Sequence, residues 1–308
     1  MNVSIIILIF ITATALFYGT QKLFISRQKF DEINHRSSHK TDATKNGGIV
    51  IFSTLFLFSV FYYLKGEQIY DYTLLIPLSM MFVIGVYDDF YDADYKLKFF
   101  LQIIVAKLLI DQGFVIDNFH GIFGWHEIPR LASQLFTFFV FLVIVNAVNF
   151  IDGIDGLAIS EALKVILVVE LISLENTSLL SMGVILGVSL IPLYYFNFKK
   201  QNKIFLGDAG SLFLGTVIAI YLFYVLGAEY ELNPQFKMNK ALLTIAIVIY
   251  PLVDLLRVFI IRITQKKSPF HPDQNHLHHL LLKKGFSHFW IVIILQSASL
   301  CILFLGLL

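Results

Sequence analysis

The chain has 308 residues, of which 57% are hydrophobic, 15% charged and 15% aromatic, with a formal net charge of +1. A mean hydropathy of +0.75 excludes an ordinary soluble domain of this length, and the near-zero charge gives no support to a nucleic-acid partner. The one cysteine, Cys301, excludes an internal disulfide and argues against a thiolate metal site.

Apolar runs recur along the whole chain and predict an all-α polytopic membrane protein, one integral-membrane domain over 1–308 with about ten transmembrane helices. The expected spans are 3–24, 48–64, 72–87, 99–116, 131–148, 157–174, 178–196, 210–227, 241–263 and 289–307. The first has too long an apolar core for a signal peptide and no basic residue before it, so it is read as a span. Loops after odd-numbered spans carry sixteen Lys and Arg, against four in the loops after even-numbered spans. That asymmetry places the odd loops in the cytoplasm and both termini outside. Every polar cluster of chemical character falls in those cytoplasmic loops.

In chain order, His39 to Gly48 comes first. A cation such as Lys45 beside Gly47-Gly48 at a helix start suits a phosphate, although a positive-inside loop entering a helix through glycine explains it equally well. Asp88-Asp89 follows the third span, with Asp92, Asp94, Lys96 and Lys98 after it. Adjacent carboxylates can hold Mg2+ or raise one another's pKa, while Asp92 and Asp94 fit an acidic loop balanced by its own lysines. Asn149-Phe150-Ile151-Asp152-Gly153-Ile154-Asp155-Gly156-Leu157 lies between two apolar runs with no basic neighbour. Desolvated carboxylates persist there only with a cation, a proton or a polar ligand nearby. If a helix begins after Asn149, Asp152 and Asp155 share one face.

Phe205-Leu206-Gly207-Asp208-Ala209-Gly210-Ser211 enters the eighth span, so Asp208 is either a helix cap or a metal ligand. His271, His276, His278 and His279 crowd nine residues before the last span. On a helix His276 and His279 would share a face while His278 points elsewhere, which supports phosphate recognition better than zinc. Together these clusters describe a site for divalent metal and phosphate at the membrane surface, with phosphoryl transfer to a lipid-borne reactant as the reaction class. The rival is an ion- or proton-coupled secondary transporter, favoured by Asp254 and Arg257 inside the ninth span. Lys107 and Lys164, near span ends, are expected to snorkel.

The motifs resemble the polyprenyl-phosphate N-acetylhexosamine-1-phosphate transferases, glycosyltransferase family 4, whose members start peptidoglycan lipid I, O-antigen and teichoic acid linkage. The resemblance rests on Gly47-Gly48 after a basic residue; Asp88-Asp89 with Lys98 and Gln102; Asn149-x-x-Asp152-Gly-x-Asp155-Gly-Leu157; Phe205-Leu-Gly207-Asp208-x-Gly210-Ser211; and His276-x-His278-His279, in order along nearly the whole chain. It implies Mg2+ as cofactor, with Mn2+ as a substitute, and transfer of a sugar-1-phosphate from a UDP-N-acetylhexosamine to undecaprenyl phosphate with release of UMP. This is the first membrane step of a cell-envelope glycan, at the cytoplasmic (inner) membrane of a bacterium.

By the same resemblance Asp88 deprotonates or orients the lipid phosphate, with Asp89 beside it, and Asp208 is the Mg2+ ligand. Asp155 and Phe205 contact uracil, by hydrogen bond and by stacking. Asp152, Asn149, Lys45 and Lys98 complete the site, and His276, His278 and His279 bind phosphate. A covalent aspartyl-phosphate route is the alternative. The spaced His-x-His-His is similar to the GlcNAc-1-phosphate and O-antigen-initiating branch more than to the peptidoglycan branch, which has three consecutive histidines. The chain departs from the family where Thr-Pro is replaced around Ala43-Thr44 and where Pro-Ala between Asn197 and Phe205 is replaced by a lysine-rich stretch. The sugar and the oligomeric state stay open, a homodimer included.

Overall fold

The computed structural model describes residues 2–30, 43–268 and 275–307. These form α1 (Val3–Ser26), α2 (Gly47–Leu64), α3 (Leu75–Tyr91), α4 (Tyr95–Asp111), α5 (Arg130–Ile151) and α6 (Leu157–Ile172). The chain continues through α7 (Leu180–Asn197), α8 (Gly207–Leu226), α9 (Lys240–Ile247), α10 (Ile249–Thr264), α11 (Leu277–Lys283) and α12 (His288–Leu307). A two-residue parallel ribbon, β1 (Ala43–Thr44) on β2 (Lys203–Ile204), is the only sheet among the described residues.

The all-α polytopic expectation holds. By length and composition seven helices can cross a membrane, or eight if α9 and α10 count as one broken span. Helices α4 and α6 lie where the fourth and sixth spans were expected but have 17 and 16 residues. Two expected spans change shape. The fourth, 99–116, stops at Asp111, because Gly113 turns the chain with φ +92°. The ninth, 241–263, is bent by 73° between α9 and α10. Pro251 is the cause: it has no N–H to give, and its ring collides with the carbonyl four residues back, that of Ile247, where α9 ends.

Helix α8 is apolar on every side and buried along almost its whole length, against α2, α3, α5, α6 and α9. By contrast α1 buries only Ile9, Ala13, Phe17 and Gln21, a single seam at four-residue spacing that leaves the rest of its apolar surface facing outward. The starts of α2 and α8 and the end of α3 approach backbone to backbone. A Cβ on Gly48 would come within 2.5 Å of Gly210 Cα, and one on Gly85 within 2.5 Å of Ala209 N.

Lys164 does not snorkel. Its ammonium is buried 2.8 Å from Glu161 of the same helix and 2.8 Å from Ser299 Oγ of α12, and Gln296 Nε2 donates to Glu161 at 3.0 Å. Removing one partner of a buried pair strands the other charge, so Lys164→Met is expected to destabilise by about 3 kcal/mol. The check is thermal unfolding in detergent, with Glu161→Gln/Lys164→Met recovering most of the loss.

Candidate active site

The site forms where the cytoplasm-assigned loops meet at one end of the bundle. Asp88 and Asp89 sit in the last turn of α3, and Asp208 in the first turn of α8. Asp89 accepts from the N–H groups of Asp208 at 3.0 Å and Ala209 at 2.9 Å, so it caps α8 and fixes the base of Asp208. Gly207, at φ +73°, leaves room for this, since a Cβ there would stand 2.7 Å from Asp89 Oδ2. Asp88 pairs through Oδ2 with Lys98 and accepts the Ala93 N–H on Oδ1 at 2.8 Å. Its carboxyl also lies within hydrogen-bonding reach of that of Asp208. From the last turn of α5, Asn149 Nδ2 donates to Asp208 Oδ1 at 2.6 Å and to Ser211 Oγ at 2.8 Å. Asp94 caps α4 through the Lys96 N–H and Asp92 closes α3 at φ +50°.

Asp152 and Asp155 do not share a helix face. Helix α5 runs on to Ile151, and 152–156 form a turn closed by Gly156 at φ +79° before α6 begins. The turn sends its two carboxylates to different partners. Asp152 is left among acids: burial first, then the charges of Asp208, Asp89 and Asp155, pushes its carboxyl well above the usual range. Asp155 Oδ2 meets Lys203 and lies 2.9 Å from His288 Nδ1. Burial would raise the Asp155 carboxyl, but the hydrogen bonds and charges of His288 and Lys203 outweigh it and hold it below its usual value. Asn197 ties the turn to β2, accepting the Gly156 N–H at 2.6 Å and donating to Ile204 O at 2.9 Å.

The three histidine rings are contiguous, which corrects the expectation that His278 points away from the other two. His276 and His278 stack with centroids 5.4 Å apart, and His278 and His279 lie 4.3 Å apart. Asp254 of α10 accepts from His276 Nδ1 at 2.8 Å and from the Leu277 N–H at 2.8 Å, and Arg257 donates to the Asn275 carbonyl. Those two charges therefore hold the histidine segment. His278 is fully buried, with Nδ1 3.4 Å from the Tyr250 hydroxyl. Its Nε2 has no hydrogen-bond partner among the described residues and points at Gly153, where a Cβ would be 3.4 Å away.

Burial, then His279, His276 and His288, pushes the His278 imidazole well below its usual 6.5. The unfolded chain binds a proton there that the fold refuses, so this stability is complete above about pH 6.5 and is lost as pH falls below it. Melting temperatures taken from about pH 7.5 down to about pH 5 should fall, and His278→Asn should flatten the decline. An unchanged slope in the variant would remove His278 as its cause.

The Gly47-Gly48 start of α2 is not an open phosphate cradle. Both N–H groups are taken, by Phe205 O and Leu206 O at 2.9 Å each. The half-buried Lys45 acts electrostatically on Asp89 instead. Phe205 follows β2 directly, its N–H on Thr44 O at 2.9 Å, and stands in the chain between Lys203 and Asp208. His39 to Asp42 and Pro269 to Gln274, including His271, lie outside the described residues. Lys203 and His288 belong to no motif singled out in the sequence, and Asp254 holds the histidine segment rather than serving transport. The lysine-rich departure before Phe205 was the one available signal.

The donors suit Mg2+. That ion takes one or two carboxylates and completes its shell with substrate phosphate and water. Asp88 and Asp208 supply hard oxygens within reach of each other, and Asp152 faces them with no basic partner of its own among the described residues. No preformed cage of three His, Cys, Asp or Glu exists among the described residues.

Residues 71–226 match the family model described as glycosyl transferase family 4. The undecaprenyl-phosphate alpha-N-acetylglucosaminyl 1-phosphate transferase of Pasteurella multocida is 35% identical over 282 residues, 88% of this chain and 76% of that protein. Proteins of the same name from Haemophilus influenzae (33% over 268 residues, 83% of this chain and 72% of that one) and Escherichia coli K12 (26% over 313 residues, 98% and 82%) are also similar. The relatives carry the name of the branch that the spaced histidines resemble. Since the matched stretch runs through Asp88, Asp89, Asp152, Asp155 and Asp208 to the end of α8, and the likeness to relatives continues over most of the chain, the protein belongs to glycosyl transferase family 4.

Proposed function

We propose that this protein transfers GlcNAc-1-phosphate, or the 1-phosphate of a related N-acetylhexosamine, from its UDP derivative to undecaprenyl phosphate at the cytoplasmic face of a bacterial inner membrane. One observation carries the reading. A cavity of about 740 Å³ is lined by Lys98, Gln102, Asn146 and Asn149 together with apolar side chains such as Phe99, Leu142, Leu212 and Leu255. That mixed lining suits a phosphate ester with a long isoprenoid tail, and two of its polar residues are bonded to the carboxylates, Lys98 to Asp88 and Asn149 to Asp208.

A lipid phosphate oxygen attacks the β-phosphorus of the UDP-sugar, the bond from that phosphorus to the bridging oxygen breaks, and UMP leaves. Lys98 meets the charge of the incoming phosphate, and Asp88 aligns Lys98 from behind. A phosphate monoester is largely ionised near neutral pH, so Asp88 has alignment rather than proton removal as its main task. Asp208, supported by Asn149 and with Asp88 and Asp152 beside it, would hold Mg2+, which supplies charge neutralisation on the diphosphate. With its proton on Nε2, His278 offers a donor toward phosphate across the small Gly153. Transport loses its support, because Asp254 and Arg257 are engaged by the histidine segment.

The test is to incubate purified protein with undecaprenyl phosphate, Mg2+ or Mn2+, and a panel of UDP-sugars, and to weigh the lipid product. A lipid diphospho-sugar with stoichiometric UMP is expected; no product from any UDP-N-acetylhexosamine would overturn the proposal.

A further inference from the structure

A second polar surface lies away from the carboxylates, where α1 and α7 end side by side. Their contact is aromatic: Phe17 and Tyr18 meet Phe196 with ring centroids 5.4 and 4.9 Å apart. Just past it Gln21 Nε2 donates to Asn202 O at 2.6 Å, so segments 181 residues apart in the chain close into one corner. Lys199 Nζ stands over three rings there, 4.5 Å from the Phe196 centroid, 5.1 Å from Tyr195 and 5.7 Å from Tyr18. Lys22, one helical turn beyond Tyr18, extends the charge along the same face of α1, and Lys200 follows Lys199.

No carboxylate balances these cations. Residues 1–30 and 176–207 contain no Asp or Glu. None of the three lysines makes an ion pair among the described residues, and Lys22 and Lys200 are exposed. Ammonium groups gathered in this way repel one another, and a bound anion removes that cost. Charge asymmetry between loops accounts for lysines at this end of the bundle, but it is set by Lys and Arg and does not require acids to be missing. The 92–98 loop on the same side mixes both signs.

The surroundings select the kind of anion. Tyr18 and Tyr195 are 54% and 62% exposed, and neither hydroxyl has a hydrogen-bond partner among the described residues. Beneath them on the same helix faces, Ile11 and Ile191 are exposed at 57% and 54%. Cations above, tyrosines between and bare aliphatic side chains below form the profile of a bilayer interface. We propose that the α1–α7 corner binds an anionic phospholipid, with its phosphodiester among Lys22, Lys199, Lys200 and the two tyrosine hydroxyls and its acyl chains along Ile11 and Ile191. The corner is also tied to the β1–β2 ribbon. Asn46 Nδ2 donates to Thr20 Oγ1 at 2.9 Å, Asn46 Oδ1 accepts from Thr44 of β1 at 2.6 Å, and Asn202 immediately precedes β2. A lipid that holds α1 to α7 therefore steadies the ribbon from outside.

Native mass spectrometry of the full-length protein, delipidated in detergent and titrated with dioleoylphosphatidylglycerol or dioleoylphosphatidylethanolamine, tests the assignment. One phosphatidylglycerol should bind saturably, with phosphatidylethanolamine at least about tenfold weaker. A lysine near an anionic lipid surface is worth about fivefold in affinity, so Lys22→Gln/Lys199→Gln/Lys200→Gln should weaken that equivalent by about a hundredfold. Lys266→Gln/Lys267→Gln/Lys284→Gln removes three exposed lysines from the same side and should leave binding within about threefold. Glycerol 3-phosphate, which has the charge without the chains, should not displace the lipid. Phosphatidylglycerol should raise the melting temperature of the unmodified protein and not that of the first variant. If Lys199→Gln unsettles the aromatic contact, Lys22→Gln/Lys200→Gln carries the same expectation at about twenty-five-fold. Equal weakening by the two triple variants would reduce the corner to diffuse attraction by a basic face and overturn the proposal. So would equal binding of the two lipids, or displacement by glycerol 3-phosphate. The transferase reading stands or falls separately, on product formation.

Discussion

Asp208→Ala is expected to lower formation of lipid-linked sugar-phosphate by about 10³-fold or more, the scale set by removing a central electrostatic group from a preorganised site. The fold should not suffer. Asp89 caps the backbone of α8 rather than the Asp208 side chain, and Asn149 keeps its bond to Ser211 Oγ. Removing one carboxylate from a group that includes Asp88, Asp89 and Asp152 relieves repulsion, so the melting temperature should stay level or rise. Asp88→Asn should act in the same direction, because it leaves Lys98 without its anionic partner while preserving shape. Membranes carrying each variant would be assayed for sugar-phosphate in butanol-extractable lipid, alongside unfolding of the purified proteins. Substantial residual transfer, or loss of activity explained by loss of folded protein, would contradict the assignment.

Gly48→Ala is expected to cost more than about 3 kcal/mol, above the usual range for overpacking. Its added methyl group would meet the backbone of Gly210 and Ala209, which cannot turn aside as a side chain can. The α2 start is also fixed in place by the hydrogen bonds of Gly47 and Gly48 to residues 205 and 206. Little folded protein should be recovered, and what is recovered should melt far lower. Gly153→Ala is the control: its nearest neighbours would be His278 Nε2 at 3.4 Å and His279 Cε1 at 3.9 Å, ordinary contact distances. Equal stability of the two variants would falsify the backbone-contact account.

Much of the helical frame was legible because a bilayer demands long apolar runs, and the position of each run survives even where its ends shift. The bend after Ile247 was also written in the chain, as Pro251, but hydropathy summed over a long window hides a single proline. The convergence of Asp88, Asp208, Asn149 and the histidines on one end followed from charge asymmetry between loops. The divergence of Asp152 from Asp155 did not, because it depends on Lys203 and His288, some 50 and 130 residues away. The role of Gly47-Gly48 was undecidable from sequence for another reason. Absence of a side chain serves an anion and a neighbouring backbone equally, and only the neighbour distinguishes them.

Bilayers differ in thickness, and a helix exposed to lipid answers by tilting or by deforming the surrounding acyl chains. Helix α1, held along one seam, can do so cheaply; α8 is walled in by protein and cannot. Because Asp208 rides on α8, and Asp89 is hydrogen-bonded to its first turn, hydrophobic mismatch is absorbed at the periphery. The spacing of the central carboxylates is thereby insulated from changes in lipid composition.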